Sequence, residues 1–112
     1  MISQSGKVAE QKAAEYLQEQ GYKIVATNWR IRVCEIDIVA QKDGCVYFVE
    51  VKYRKSQAWG SGLEYITKSK IKQMNFAAEV WMGQNNWNSD CSLAAIEIED
   101  EDYKITSFLT DL

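Results

Sequence analysis

Apolar residues at Ala9, Ala13, Tyr16 and Leu17 recur every three to four positions, which predicts a helix from about Ser5 to Gln20 with one buried stripe. Gly21 follows where a helix end commonly turns left-handed. From Tyr22 the period falls to two: Tyr22, Ile24 and Ala26 predict a strand reaching Trp29. The stretch Ile31 to Tyr53, IRVCEIDIVAQKDGCVYFVEVKY, then reads as two strands joined at Asp43-Gly44, a dipeptide suited to a hairpin turn that needs positive φ. Leu63 to Ile66 reads as a short strand. Thr67 is a good N-cap for a second helix from about Lys68 to Met82, whose core face is Ile71, Met74, Ala78 and Trp81. Cys91 to Ile98 and Tyr103 to Leu109 alternate as strands around an acidic run, Glu99 to Asp102, which reads as a solvated turn. The order helix, three strands, helix, two strands predicts an α/β fold, a central mixed sheet flanked by helices, in one domain over residues 1–112.

The hairpin carries the first chemical signal. A two-residue loop at Asp43 and Gly44 sets Asp37 opposite Glu50 and Glu35 opposite Lys52, all on one face. Two carboxylates about 5 Å apart at an effective dielectric near 20 repel by roughly 3 kcal/mol. A divalent cation would turn that repulsion into coordination, and Asp and Glu oxygens are the donors that Mg²⁺ or Mn²⁺ prefers. The plainer alternative is a solvated face with an ordinary Glu35–Lys52 cross-strand pair. Against it, Ile31, Val33 and Val39 share the face of Asp37, and Val46 and Phe48 share that of Glu50, so the acids sit within an apolar stripe. Glu10 falls on the edge of the first helix's stripe, within reach of the hairpin or held simply by solvent or a lysine.

Composition narrows the chemistry. The 112 residues contain no histidine, which removes Ser-His and Cys-His nucleophiles and every histidine-metal design; hydrolysis would have to rest on carboxylates, lysine and metal. Cys34, Cys45 and Cys91 form no CxxC pair and read as reduced structural thiols. Neither a Walker-type loop nor a GxGxxG turn is present. With no apolar run long enough to span a bilayer and no leader at Met1, no membrane partner is expected and the cytosol is the default location. The net charge of −3 hides a division: residues 1–75 carry 12 Lys and Arg against 8 Asp and Glu, and residues 76–112 carry 1 against 8.

The basic residues lie near the acids. Arg30 and Arg32 precede them, Arg54 and Lys55 follow Lys52, and SQAWGSG then offers Trp59, a sequence suited to phosphate contact and base stacking or to a lid packed on the core. Lys68, Lys70 and Lys72 crowd the first turns of the second helix, where the helix dipole favours acids; they face either a phosphate backbone, the acidic C-terminal part, or solvent.

Asp37 with Glu50-Val51-Lys52 matches the PD-(D/E)XK pattern of metal-dependent nucleases. Gly6 with AExxAAEYL, then GYxI, NWR, EIDIVA, VYFVEVKYR, and Lys70 ahead of an alanine-rich helix closely resemble the YraN family, bacterial proteins predicted to be endonucleases and similar to archaeal Holliday-junction resolvases. The resemblance spans roughly Gly6 to Trp81 and implies a restriction-endonuclease-like core. It implies that Asp37, Glu50, the Val51 carbonyl and Glu10 hold Mg²⁺ or Mn²⁺, that Lys52 is the catalytic lysine, and that Glu35 is a further site acid. Arg30, Arg54, Lys55 and Lys70 would then hold a DNA backbone. Three departures stand out: Ala9 and Cys34 replace glycines usual before the acids, and SDCSLAAIE lacks an Arg-Phe-Asp usual near the last strands. The implied activity is hydrolysis of DNA, branched or otherwise structured. The alternative is a module on the same fold that binds DNA structure without cutting. Two-fold symmetric junctions point by analogy to a homodimer, with Trp81, Trp87 and the C-terminal hairpin as candidate interface.

Overall fold

The computed structural model describes residues 4–54, 66–99 and 101–112. Helix α1 (Gln4–Glu19) is followed by strands β1 (Lys23–Arg30), β2 (Glu35–Lys42) and β3 (Cys45–Arg54), helix α2 (Lys68–Gln84), and strands β4 (Asp90–Glu99) and β5 (Lys104–Thr110). The chain is thus α/β in the expected order. Its five strands form one sheet in the order β1-β2-β3-β4-β5. Neighbours are antiparallel except β3 and β4, which run parallel and are connected by way of α2. The expected short strand at Leu63, Trp59 and Lys55 lie outside the described residues.

Each helix covers one face of the sheet. Ala9, Ala13 and Leu17 of α1 are buried against Ile38, Ala40, Val49, Ala94, Ile96 and Ile98. On the opposite face Met74, Ala77, Ala78 and Trp81 of α2 pack on Val39, Val46, Phe48 and Leu93. Phe48 meets Trp81 edge-on with ring centroids 5.7 Å apart, and Trp81, only 6% exposed, is a core residue with no surface to lend to an interface. Ile71, expected in the core face, sits at its edge, half-buried. Strand β4 is buried from Ser92 to Glu99, as expected of a parallel strand covered on both sides. Glu99 therefore belongs to this buried strand rather than to a solvated turn, because the parallel ladder holds it beside Arg54.

Local chemistry places the turns. Gly21 takes φ +91° after α1, and the Tyr22 amide donates to the Leu17 carbonyl at 2.9 Å. Asp43 and Gly44 both have positive φ, 51° and 77°, as a tight hairpin turn requires. Thr67 caps α2 by accepting from the Lys70 amide at 3.1 Å.

Candidate functional site

The β2–β3 ladder has the register that the turn dictates, from Lys42–Cys45 to Ile38–Val49. There it stops. Beyond it the Val51 amide donates at 2.8 Å to Asp37 Oδ2, a side chain standing where a strand partner would be, so the two strands part around the acids. In an extended strand a residue's N–H and C=O point the same lateral way, so the Val51 carbonyl also faces this gap. Glu35 is not opposite Lys52. It pairs with Arg30 of β1, whose Nη2 and Nε donate to Glu35 Oε2 at 2.6 and 3.1 Å. The physical reason is the same divergence: β2 leaves β3 while still paired with β1.

On the α2 side of β3 the surface changes from apolar to charged in one step. Val46 and Phe48 are followed by Glu50, Lys52 and Arg54, aligned with Ala95, Glu97 and Glu99 of β4. Lys70 in the first turn of α2 completes the change: its Nζ lies 3.0 Å from Glu50 Oε2. Glu10 approaches from α1, on the other layer of the fold.

The electrostatics reflect the crowding. Burial pushes the Asp37 carboxyl up to about 8, helped by the charges of Glu50 and Glu10 and opposed by the Val51 amide. Asp37 and Glu50 are also within hydrogen-bond reach of each other, a bond that needs a proton on one of them. Glu10 is raised by burial and by Glu35 and Glu50, against a hydrogen bond from the Asn28 side chain, and its Oε1 is buried with no hydrogen-bond partner. Burial pulls the Lys70 ammonium down, but its hydrogen bond and attraction to Glu50 lift it above its ordinary value overall.

These side chains answer the sequence-derived set unevenly. Asp37 and Glu50 come within hydrogen-bond reach, with Val51 between the strands, and Glu10 stands near enough for charges to act between it and both. Glu35 joins them electrostatically but is engaged by Arg30, and Arg30 is thereby an ion-pair partner as well as a basic surface residue. Lys52 shares the face of Glu50 and lies across from the buried Glu97. Arg54 points inward: its side chain is only 14% exposed, and its Nη1 lies 3.9 Å from Glu99 Oε1. Sequence reasoning missed three features. The Lys70–Glu50 pair could not be told from the other lysines of the turn. Buried Glu99 looked like part of a solvated turn, and Glu97, within the predicted strand, was not singled out. Asn28 lies opposite Asp37 in the β1–β2 register at φ +51°, and its only signal was that Asn tolerates that conformation.

In chemistry the donors fit a hard divalent cation: carboxylate oxygens, a carbonyl and an unsatisfied buried Oε1. In number they fall short of a closed cage, since among the described residues no three acids gather closely enough to hold a metal by themselves. That is the arrangement Mg²⁺ favours, one or two carboxylates with the remaining positions left to water and substrate oxygens.

Residues 9–103, which include every one of these acids, match the sequence profile described as "Uncharacterised protein family UPF0102". The chain belongs to family UPF0102. The UPF0102 protein of Cytophaga hutchinsonii is 36% identical over 102 residues, covering 91% of this chain and 90% of that one. That of Pseudomonas fluorescens is 40% identical over 98 residues (86% and 82% of the two chains), and that of a Sulfurihydrogenibium species is 44% identical over 84 residues (75% and 73%). Among the described residues of this UPF0102 chain, no helix is long and apolar enough to cross a membrane.

Proposed function

We propose that this UPF0102 chain is a Mg²⁺- or Mn²⁺-dependent cytoplasmic endonuclease that hydrolyses phosphodiester bonds of DNA, branched or otherwise structured. The observation that carries the reading is Asp37, a half-buried carboxyl raised to about 8 by desolvation and by the charges of Glu50 and Glu10, fixed by the Val51 amide at a gap in the sheet. A fold tolerates such repulsion where the charges have work to do. The resemblance to the PD-(D/E)XK nucleases and the lysines around the gap point the same way.

On this reading Asp37, Glu50 and the Val51 carbonyl would hold the cation, and Glu10 would bind it directly or through water. When bound, the cation polarises the phosphoryl group and lowers the pKa of an attacking water. The Val51 amide holds one Asp37 oxygen still. Lys52 orients the water and offsets charge developing on the phosphate, which is a positioning and electrostatic contribution. Lys70 holds Glu50 in place, while Arg30 and Lys55 are the remaining candidates for backbone contact, Arg54 being turned inward onto Glu99.

One observation favours a second reading. Lys70 already neutralises Glu50 at 3.0 Å, so the chain could grip DNA at this face without cutting it. Titration calorimetry with Mn²⁺ at neutral pH separates the two. The nuclease reading predicts binding that Asp37→Asn and Glu50→Gln each abolish, with release of about one proton, seen as a dependence of the heat on the buffer's ionisation enthalpy. Binding unaffected by both substitutions, or no binding, would remove it.

A further inference from the structure

Next to the acid site, α2 presents a second stripe. Ser69, Lys72, Gln73 and Phe76 share one side of the helix and face Val33 and Cys34 of the segment joining β1 to β2 across a groove of about 300 Å³. The Cys34 thiol donates to the Gln73 carbonyl at 3.4 Å and ties the two walls together. Phe76 is 51% exposed and Val33 68%. The other large apolar residues exposed among the described ones, Val25 and Leu109, lie on the outer strands β1 and β5.

The groove is continuous with the acids. Cys34 lines it and immediately precedes Glu35, and Lys70, in the same first turns of α2 as the groove's Ser69 and Lys72, holds Glu50. It is also positive: Lys68 and Lys72, one turn apart, share the side of α2 that bears Phe76, and the helix's first turn contains no acid. Lys68 and Lys72 border an adjoining hollow with Ser69 and Ile71. An exposed aromatic face beside two lysines one helical turn apart complements a polyanion that also offers flat apolar rings, which describes single-stranded nucleic acid. Paired bases present no such faces.

We propose that the groove binds an unpaired segment of a DNA strand, a base stacked on Phe76 and phosphates at Lys72 and Lys68, and leads the adjoining backbone to Asp37 and Glu50. The binding itself stands apart from any cleavage; only the destination rests on the nuclease reading. The substrate class it selects is DNA with single-stranded character beside the scissile bond, such as flaps and the open centres of branches.

The test is fluorescence anisotropy in EDTA with labelled oligothymidine, a flapped duplex and a blunt duplex. Phe76→Ala is expected to weaken binding of oligothymidine and flap by at least about fivefold and leave the blunt duplex unchanged. Phe76→Trp restores the affinity, and its added fluorescence over wild type is quenched by oligothymidine. Lys72→Ala weakens all three and flattens the salt dependence. Equal losses on the three DNAs, or none, for Phe76→Ala would overturn the proposal. So would a Phe76→Ala variant that binds DNA normally but turns a dimer into a monomer in sedimentation, since the groove would then hold a second copy. Cleavage that persists while Phe76→Ala binds oligothymidine normally overturns the groove alone. Phe76-dependent binding without any cleavage leaves the groove standing and removes the nuclease reading.

Discussion

Replacing Asp37 by Asn removes one titratable charge from the gap between β2 and β3 while leaving an oxygen that can accept the Val51 amide. The folded carboxyl is raised from an ordinary 3.8 to about 8, so the folded protein takes up a proton that the unfolded chain has released. The stability this contributes is fully present below about pH 4, declines as pH rises, and is lost above about pH 8. At about 1.36 kcal/mol per unit of pKa the displacement bounds the effect at roughly 6 kcal/mol; relaxation and water entry around a half-buried group bring it to on the order of 3 kcal/mol. Urea unfolding in EDTA from pH 4 to pH 9 measures it. Wild type should lose stability across that interval, and Asp37→Asn should lose less and become the more stable of the two near pH 8.5. Mn²⁺ at about 100 times its Kd should return about 2.7 kcal/mol to wild type and nothing to the variant. Equal slopes for the two proteins, or a variant destabilised as much at pH 8.5 as at pH 5, would refute the reasoning.

Three further outcomes follow from the same structure. Lys70→Ala leaves the largely buried Glu50 carboxylate without its ion-pair partner and should cost about 1 to 3 kcal/mol at pH 7 in urea unfolding, a loss that Lys70→Arg should largely reverse. Gly44→Ala has open space for its Cβ but must hold φ near +77°, so it should destabilise by about 1 kcal/mol with no change in metal binding by calorimetry. Phe48→Ala empties the contact with Trp81 in the α2-side core and should cost about 3 to 5 kcal/mol by thermal or urea unfolding.

What the sequence disclosed was local and periodic. The 3.6 period of Ala9, Ala13 and Leu17, the Asp43-Gly44 turn and the Thr67 cap each depend on residues a few positions apart, and the hairpin register followed from the turn alone. That register brought Asp37 and Glu50 together on paper, and the structure brings them together in space, by a side chain capping Val51 in place of a continued ladder. The features that escaped are non-local. Glu99 reads as part of an acidic turn until the parallel ladder of β3 and β4 buries it beside Arg54, and parallel pairing leaves no short-range mark. The choice of Lys70 among three lysines depends on where α2 begins relative to the sheet, and Glu35 parted from Lys52 because β2 follows β1 where the hairpin opens.

The central claim, that the acids between β2 and β3 serve metal-dependent cleavage of DNA, is tested most directly by incubating labelled linear, flapped, single-stranded and four-way-junction DNA with Mn²⁺ and wild type, Asp37→Ala or Lys52→Ala protein. The account predicts cuts by wild type on the branched or flapped DNA, loss of at least about 100-fold in rate for each substitution, and folded variants by circular dichroism. No cleavage of any DNA by wild type, or cleavage that either variant retains, would contradict it.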